Sequence, residues 1–209
     1  GISDEFIRAF RLGYALSEWR TLSDFLMSKN FSPSEIEATG MAIHKEQVRQ
    51  PAERNNEQGS GFQLQTTNYS LLTTHYDRFR DRVTFPVFDT AGRVLGFSAR
   101  VLPSSDDPPV GGQAAKYINT PETAVYHKSR ALYGMFLARR AIREKGYALF
   151  VEGNVDVIAM HQAGYANTIA VSGTALTEEQ LRMVKRSTEA ILLFFDMDNA
   201  GQKAARKSA

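Results

Sequence analysis

The sequence predicts an α/β fold, in which an α+β N-terminal part leads into a parallel sheet with flanking helices. Two observations carry that expectation. The last third of the chain alternates strand-like and helix-like segments, and such alternation folds into a parallel sheet covered by right-handed crossover helices. The middle instead holds "RVTFPVFDTAGRVLGFSARVL", two Val- and Phe-rich runs joined by a short turn, the pattern of an antiparallel hairpin. A chain of 209 residues, 43% hydrophobic, suffices for one large domain or two smaller ones with a core.

Taken in order, residues 1 to 45 read as short helices. Ser3 stands as an N-cap before acidic residues, and "SPSEIEATG" offers Ser32 as N-cap, Pro33 at the first helical position and Gly40 as terminator. Phe6, Phe10, Trp19 and Phe25 are expected to pack a small core. Residues 46 to 75, rich in Asn, Gln and Ser, read as a long loop or insertion with a short strand near Phe62. Strands on either side of "DTAGR" follow, with Gly92 supplying a positive φ. A loop, "PSSDDPPVGGQAA", then precedes "KYINTPET" and a helix from Lys128 or Ser129 to about Lys145. The alternating part consists of strand "YALFVE", helix "NVDVIAMHQAG" closed by Gly164, strand "NTIAVS", helix "TEEQLRMVKRS", strand "AILLFFD" and a helix beginning at "NAGQKAARK".

Composition excludes several chemistries. With no cysteine there is neither a disulfide nor thiolate-bound zinc, and His44, His75, His127 and His161 lie far apart in sequence. A metal would have to be held by carboxylates, which favours a hard ion such as Mg²⁺ or Mn²⁺. No apolar run approaches the roughly 20 residues that span a bilayer. No secretory signal opens the chain, so a cytoplasmic setting without membrane contact is expected. The chain starts at Gly1 and stops inside an expected helix, and is expected to be an excised fragment. Between Arg78 and Arg143 eleven Lys and Arg face five Asp and Glu, which leaves the rest of this +2 chain negative and marks the middle as a polyanion-binding candidate.

Acids gather at strand ends. Glu152 closes "YALFVE", with Gly153 allowing a sharp turn, and Asp196 and Asp198 follow "AILLFF". If those strands are neighbours, three carboxylates converge outside the carboxyl ends of a parallel sheet, an oxygen-only site for one or two divalent ions. Each acid also has a plainer reading. Asp198 suits a helix cap, and Asp156 falls in a first helical turn where the helix dipole favours it. Gly173 and Thr174 suit either an ordinary tight turn or a loop whose amides hold a phosphate, and Thr177 with Gln180 forms a capping box. Arg78, Arg80 and Arg82 share one face of an extended chain, and Arg93, Arg100, Lys116, Lys128 and Arg130 follow. These cations read either as a guarded sheet edge or as a track for phosphates. Tyr117 suits stacking on a base or packing in a core.

In combination and order, "YDRFRDRVTFPVFDTAGRVLGFSARVL", "KYINTPETAVYHKSRALYG", "LFVEGNVDVIAM", "SGTALTEEQL" and "FFDMDNAGQKAA" resemble the RNA polymerase core of bacterial DnaG-type DNA primases. The opening "GISDEFIRAFRLGYAL" fits the start of that core, and the resemblance spans the chain except 46 to 75. It implies an N-terminal basic-ridge subdomain over residues 1 to 145 and a Toprim domain over 146 to 209, truncated at its C-terminal side. It further implies metal-dependent synthesis of short RNA primers on single-stranded DNA from ribonucleoside triphosphates, in the cytoplasm as part of the replisome.

By motif, the resemblance gives Glu152, Asp156, Asp196 and Asp198 catalytic roles, with Glu152, Asp196 and Asp198 binding Mg²⁺ or Mn²⁺. It gives Lys116, Tyr117, Asn119, Lys128, Gly153, Gly173 and Thr174 to the nucleotide, and Arg78, Arg80, Arg82 and Arg100 to the template. The cysteine-bearing zinc module that such primases place ahead of the core, and the tail that binds a replicative helicase, are not among these residues, so no zinc is expected and the fragment is expected to be inactive alone. Two departures stand out: "EGNVDV" where the family reads "EGYMDV", and "DMD" where it reads "DGD", so that Met197 adds bulk beside the acids. Rival readings are another Toprim chemistry, as in a topoisomerase or nuclease, and a single-stranded DNA-binding module with silent acids.

Overall fold

A computed structural model describes residues 1–49, 70–102, 115–171 and 176–195. Its first sheet contains β1 (Gly13–Ala15), β4 (Arg82–Phe88), β5 (Val94–Val101) and β6 (Tyr117–Asn119), in that order and antiparallel throughout. A separate antiparallel pair joins β2 (Ala42–Arg49) to β3 (Ser70–Asp77). The third sheet places β7 (Tyr147–Val151) between β8 (Thr168–Ala170) and β9 (Ala190–Leu193), both parallel to it. The helices are α1 (Asp4–Ala9), α2 (Thr21–Ser28), α3 (Pro33–Ala38), α4 (Met135–Lys145), α5 (Asn154–Gln162) and α6 (Glu178–Lys185).

Local chemistry accounts for many of these boundaries. Ser32 and Glu35 close a capping box at the start of α3, Pro33 occupies its first turn, and Gly40 follows its end at φ 73°. Thr177 and Gln180 form the corresponding box on α6. In the β4–β5 turn Gly92 has φ 81°, and the Asp89 carboxylate accepts from the amides of Ala91 and Arg93 at 2.8 and 2.9 Å. Those bonds, led by the Arg93 amide, hold the Asp89 carboxyl below the usual carboxylate range.

One apolar core runs through both parts of the chain. Phe10, Phe85, Val87, Tyr126 and Tyr133 pack with Val151, Val157, Ile158 and Ala170. A second cluster buries Met135, Ala138 and Ile142 of α4 against Ala148, Phe150 and Ile169 of the parallel sheet. The helix preceding residue 146 therefore covers the parallel sheet. Within the first cluster, Tyr133 and Ala170 exchange two backbone hydrogen bonds of 2.9 and 3.0 Å.

Several expectations are corrected. The helix near residue 128 is only a 3₁₀ turn, Lys128–Arg130, and α4 starts seven residues later, because Gly134 at φ 83° breaks the chain direction. Residues 46–49 and 70–75, expected within a loop or insertion, are strand; the strand expected near Phe62 lies outside the described residues, as does most of "PSSDDPPVGGQAA". Of the aromatic residues expected to pack near the N-terminus, Phe10 is buried and Phe6 packs against it, but Trp19 and Phe25 are 51% and 56% exposed. Trp19 instead meets Tyr76 edge-on and lies beneath the Arg80 guanidinium, 4.2 Å from its ring centroid. Ser3 occupies the N-cap position without a side-chain cap bond. The strand at "AILLFFD" exposes Ile191 and Leu192 on the edge of the described sheet, despite its apolar sequence.

His161, on α5, is buried with its Nε2 donating to the Thr168 carbonyl at 2.9 Å and its ring edge-on to Phe10. Burial pulls its pKa below the ordinary value, outweighing the opposing carbonyl bond. Below a pH of about 6.5 the unfolded chain then binds more protons at this residue than the folded one, so the His161 contribution is complete above that pH and lost as pH falls. Chemical denaturation from pH 7 to pH 5 should show the wild type losing stability more steeply than His161→Gln, by up to about 1.4 kcal/mol per pH unit.

Candidate functional site

A cavity of about 610 Å³ lies between the antiparallel sheet and the carboxyl end of β7. One wall is Ser98, Arg100, Lys116, Tyr117, Asn119 and Lys128; the other is Glu152, Gly153, Asn154, Val155 and Asp156. The first wall follows from strand register. Ser98 pairs with Asn119 and Arg100 with Tyr117, so these four alternate residues share one face of β5 and β6. The Arg100 guanidinium lies 5.5 Å from the Tyr117 ring centroid. Burial raises the Tyr117 phenol above its ordinary pKa, Arg100 opposes the rise, and Asp156 adds to it from the facing wall.

Lys116 and Lys128 are placed by their backbones. Arg82, only 1% exposed, directs its guanidinium to the Lys116 carbonyl at 3.4 Å, and the Val101 amide donates to the same oxygen. Glu122 accepts the Lys128 amide at 2.8 Å and pairs with His127 at 3.1 Å. The first of these contacts, followed by the second, holds the Glu122 carboxyl below its usual range.

On the second wall β7 is covered on both faces, with Ala148, Leu149, Phe150 and Val151 buried, and Glu152 is the first polar residue beyond it. The chain bends at Glu152 and Gly153 as expected, with Gly153 at an ordinary φ of −117°. A Cβ here would meet Asp156 Oδ2 at 2.8 Å, so a side chain at this position would displace that carboxylate. The same oxygen accepts the Gly153 amide at 3.0 Å, which caps α5 with the Asp156 carboxylate. The adjacent parallel strand β9 continues its ladder through the Phe194 amide, which donates to the Phe150 carbonyl at 2.8 Å.

Lys116, Tyr117, Asn119, Lys128, Arg100, Glu152, Gly153 and Asp156, singled out from the sequence, thus line one cavity. Arg78, Arg80 and Arg82 do not share a face of an extended chain, because β3 ends at Asp77 and Asp81 turns the backbone with φ 49°. Arg80 is 5% exposed, stacked on Trp19 and bonded to the Asp77 carbonyl, and Arg78 Nε donates to the Gly40 carbonyl at 2.7 Å. Burial lowers the pKa of all three guanidiniums. Asp196, Asp198, Met197, Gly173 and Thr174 lie outside the described residues. Among the described residues no three His, Asp or Glu side chains form a metal-binding cluster, and no helix is long and apolar enough to cross a membrane.

Sequence reasoning missed Ser98, Asn154 and Val155. Ser98 was legible as the residue two before Arg100 on one strand. Asn154 stands between two chosen acids, where the family pattern departs, and is almost fully buried.

The end of one parallel strand, with Glu152, faces a cationic antiparallel sheet across a polar cavity in an α/β protein. The family model for the DNA primase catalytic core, N-terminal domain, matches residues 1–58 and 52–139, and that for the Toprim domain matches 146–209. This chain belongs to the DNA primase catalytic-core family. It is 36% identical to a DNA primase of Synechococcus elongatus, over 99% of this chain and 26% of that protein, and 36% identical to one of Clostridium acetobutylicum, over 98% and 28%. The RNA polymerase domain of Mycobacterium tuberculosis primase DnaG superposes with a TM-score of 0.76 at 34% identity, covering 99% of this chain and 59% of that one. A DnaG primase catalytic domain bound to single-stranded DNA gives 0.72 at 32% identity, covering 99% and 54%. The chain thus spans about a quarter of the length of these curated relatives.

Asp156 joins a structural duty to its place on the cavity wall, and the two are separable. Asp156→Ala should destabilise the fold by about 1 kcal/mol through loss of the α5 cap. Asp156→Asn, which keeps an accepting oxygen, should recover most of that loss in denaturant titration.

Proposed function

We propose that this chain forms part of a primase active centre that joins ribonucleoside triphosphates into short RNA primers on single-stranded DNA, in the bacterial cytoplasm. The observation that carries the proposal is the single cavity in which Glu152 and Asp156 face Arg100, Lys116 and Lys128. Cationic side chains on one wall suit the triphosphate, and acids on the other suit a divalent ion.

The donor chemistry fits Mg²⁺ or Mn²⁺. Glu152 is half-buried at the end of β7, the protein has no thiol, and the strand leading to Asp196 and Asp198 is the parallel neighbour of β7. We assign the ion to Glu152, Asp196 and Asp198; when bound, it would neutralise phosphate charge and favour ionisation of the attacking hydroxyl. Lys116 and Lys128 hold the phosphates, reaching them from backbones anchored by Arg82, Val101 and Glu122. Tyr117, paired with Arg100, gives the base or sugar a flat contact, and Asn119 adds a polar one. Template contact falls to Arg100 and Arg78. Arg80 and Arg82 act through the segments they brace, their guanidiniums being committed to Trp19 with Asp77 and to Lys116. A topoisomerase-like reading would need an activated tyrosine beside the acids. Tyr117 occupies that place, but burial makes its phenol harder to ionise, the reverse of activation.

Primer synthesis on single-stranded DNA tests the proposal, using this chain within a primase of the length of its relatives. Glu152→Gln should lower the rate by at least about 100-fold. Lys128→Ala should weaken binding of a ribonucleoside triphosphate to the 209-residue chain by about tenfold, the loss of one charge-assisted contact. Undiminished synthesis by Glu152→Gln would remove the acid from the active centre.

A further inference from the structure

A second cationic surface lies well away from the cavity. On α4 the buried residues Met135, Ala138 and Ile142 form one face, which turns Phe136, Arg139, Arg140 and Arg143 to the other. These four line a shallow depression of about 490 Å³ beside Thr90 of the β4–β5 turn, with Glu144 as its acid. Arg140 takes that acid, at 2.7 Å. Arg139 and Arg143 have no ion-pair partner among the described residues. Phe136 is 37% exposed and held in place, its ring 5.9 Å from that of Phe88 and against the Gly92 backbone. Arg11 extends the charge, its guanidinium 5.3 Å from the Phe88 ring.

We propose that this face is a second binding site for single-stranded DNA, holding a stretch of template outside the cavity. Guanidiniums around an anchored, half-open aromatic ring are what a strand without sequence readout needs: charge for the phosphates and a platform for a base. The positions also suit one strand. The patch sits at the turn before β5 and the cavity at Ser98 and Arg100 near its far end, so at about 3.3 Å per residue they are about 20 Å apart along the sheet. A stacked strand, rising about 3.4 Å along its axis per nucleotide, covers that distance in about six nucleotides. The inference rests on the proposed function, because the strand it holds is the template of that reaction.

The test compares oligodeoxyadenylates, whose bases stack, of about four and about sixteen nucleotides, the shorter stack too short to reach both sites. Binding is measured on the 209-residue chain across a salt series, for wild type, Arg139→Ala/Arg143→Ala and Lys128→Ala. The α4 double variant removes exposed charges in favour of a good helix former, so the fold should be kept, and circular dichroism checks it. It should bind the longer strand at least about tenfold more weakly, and its salt slope should be smaller by about 1.4, two phosphate contacts of a single strand. Affinity for the longer strand unchanged from wild type would overturn the proposal while leaving the cavity reading intact, provided Lys128→Ala still weakens both strands. If wild type binds neither strand, the cavity reading fails and takes this one with it. An RNA oligomer of the longer length that is favoured over DNA by the α4 face alone would overturn the assignment to template.

Discussion

Two hydrogen bonds between Tyr133 and Ala170 are the junction on which the rest of the structure depends. They tie the segment entering α4 to the edge of the parallel sheet, while the Tyr133 ring packs against Phe10 and edge-on to Phe85 from the antiparallel side. The two sheets consequently share one core, and their relative placement is fixed by close packing. That placement opposes the end of β7, with Glu152, to the Ser98–Asn119 and Arg100–Tyr117 pairs. A cavity with acids on one wall and cations on the other is a product of the junction. Neither sheet makes it alone.

Within the cavity, the charged groups are held through their backbones more than through their side chains. Arg82 and Val101 fix the Lys116 carbonyl, Glu122 fixes the Lys128 amide, and Asp156 fixes the Gly153 amide. These bonds engage the backbones of both lysines, and none of them involves an ammonium group. The buried arginines upstream belong to this scaffold. Arg80 clamps the turn after β3 against Trp19, and Arg82 reaches across the sheet to Lys116, just before the strand that carries the cavity residues Tyr117 and Asn119.

Much of this was legible in the sequence, for identifiable reasons. Strand and helix alternation after residue 146, the Gly92 turn and the capping boxes at Ser32 and Thr177 are local signals, and local signals survive folding. The cavity residues were legible because a carboxylate that directly follows an apolar strand stands where a parallel sheet gathers its ligands, and because the motif order resembles one family. What failed was reasoning that needed tertiary information. Alternation made Arg78, Arg80 and Arg82 look like an exposed row, but the left-handed Asp81 broke the extended chain and aromatic neighbours stacked on Arg80. The polar run after Glu46 looked like a loop because cross-strand pairing between residues 42–49 and 70–77 leaves no local trace. Helix propensity carried α4 back to Lys128, overlooking that Gly134 adopts a conformation only glycine takes readily, against Val157.

The central claim is that the two walls act on one ligand. A double-mutant cycle on Mg²⁺-dependent binding of a ribonucleoside triphosphate, with Glu152→Gln and Lys128→Ala singly and together, tests it most directly. Because metal and triphosphate would share the cavity, the two substitutions should be coupled, with an interaction energy of about 0.5–3 kcal/mol. Strict additivity, within about 0.3 kcal/mol, would mean that the acid and the lysine serve different ligands and would contradict the account.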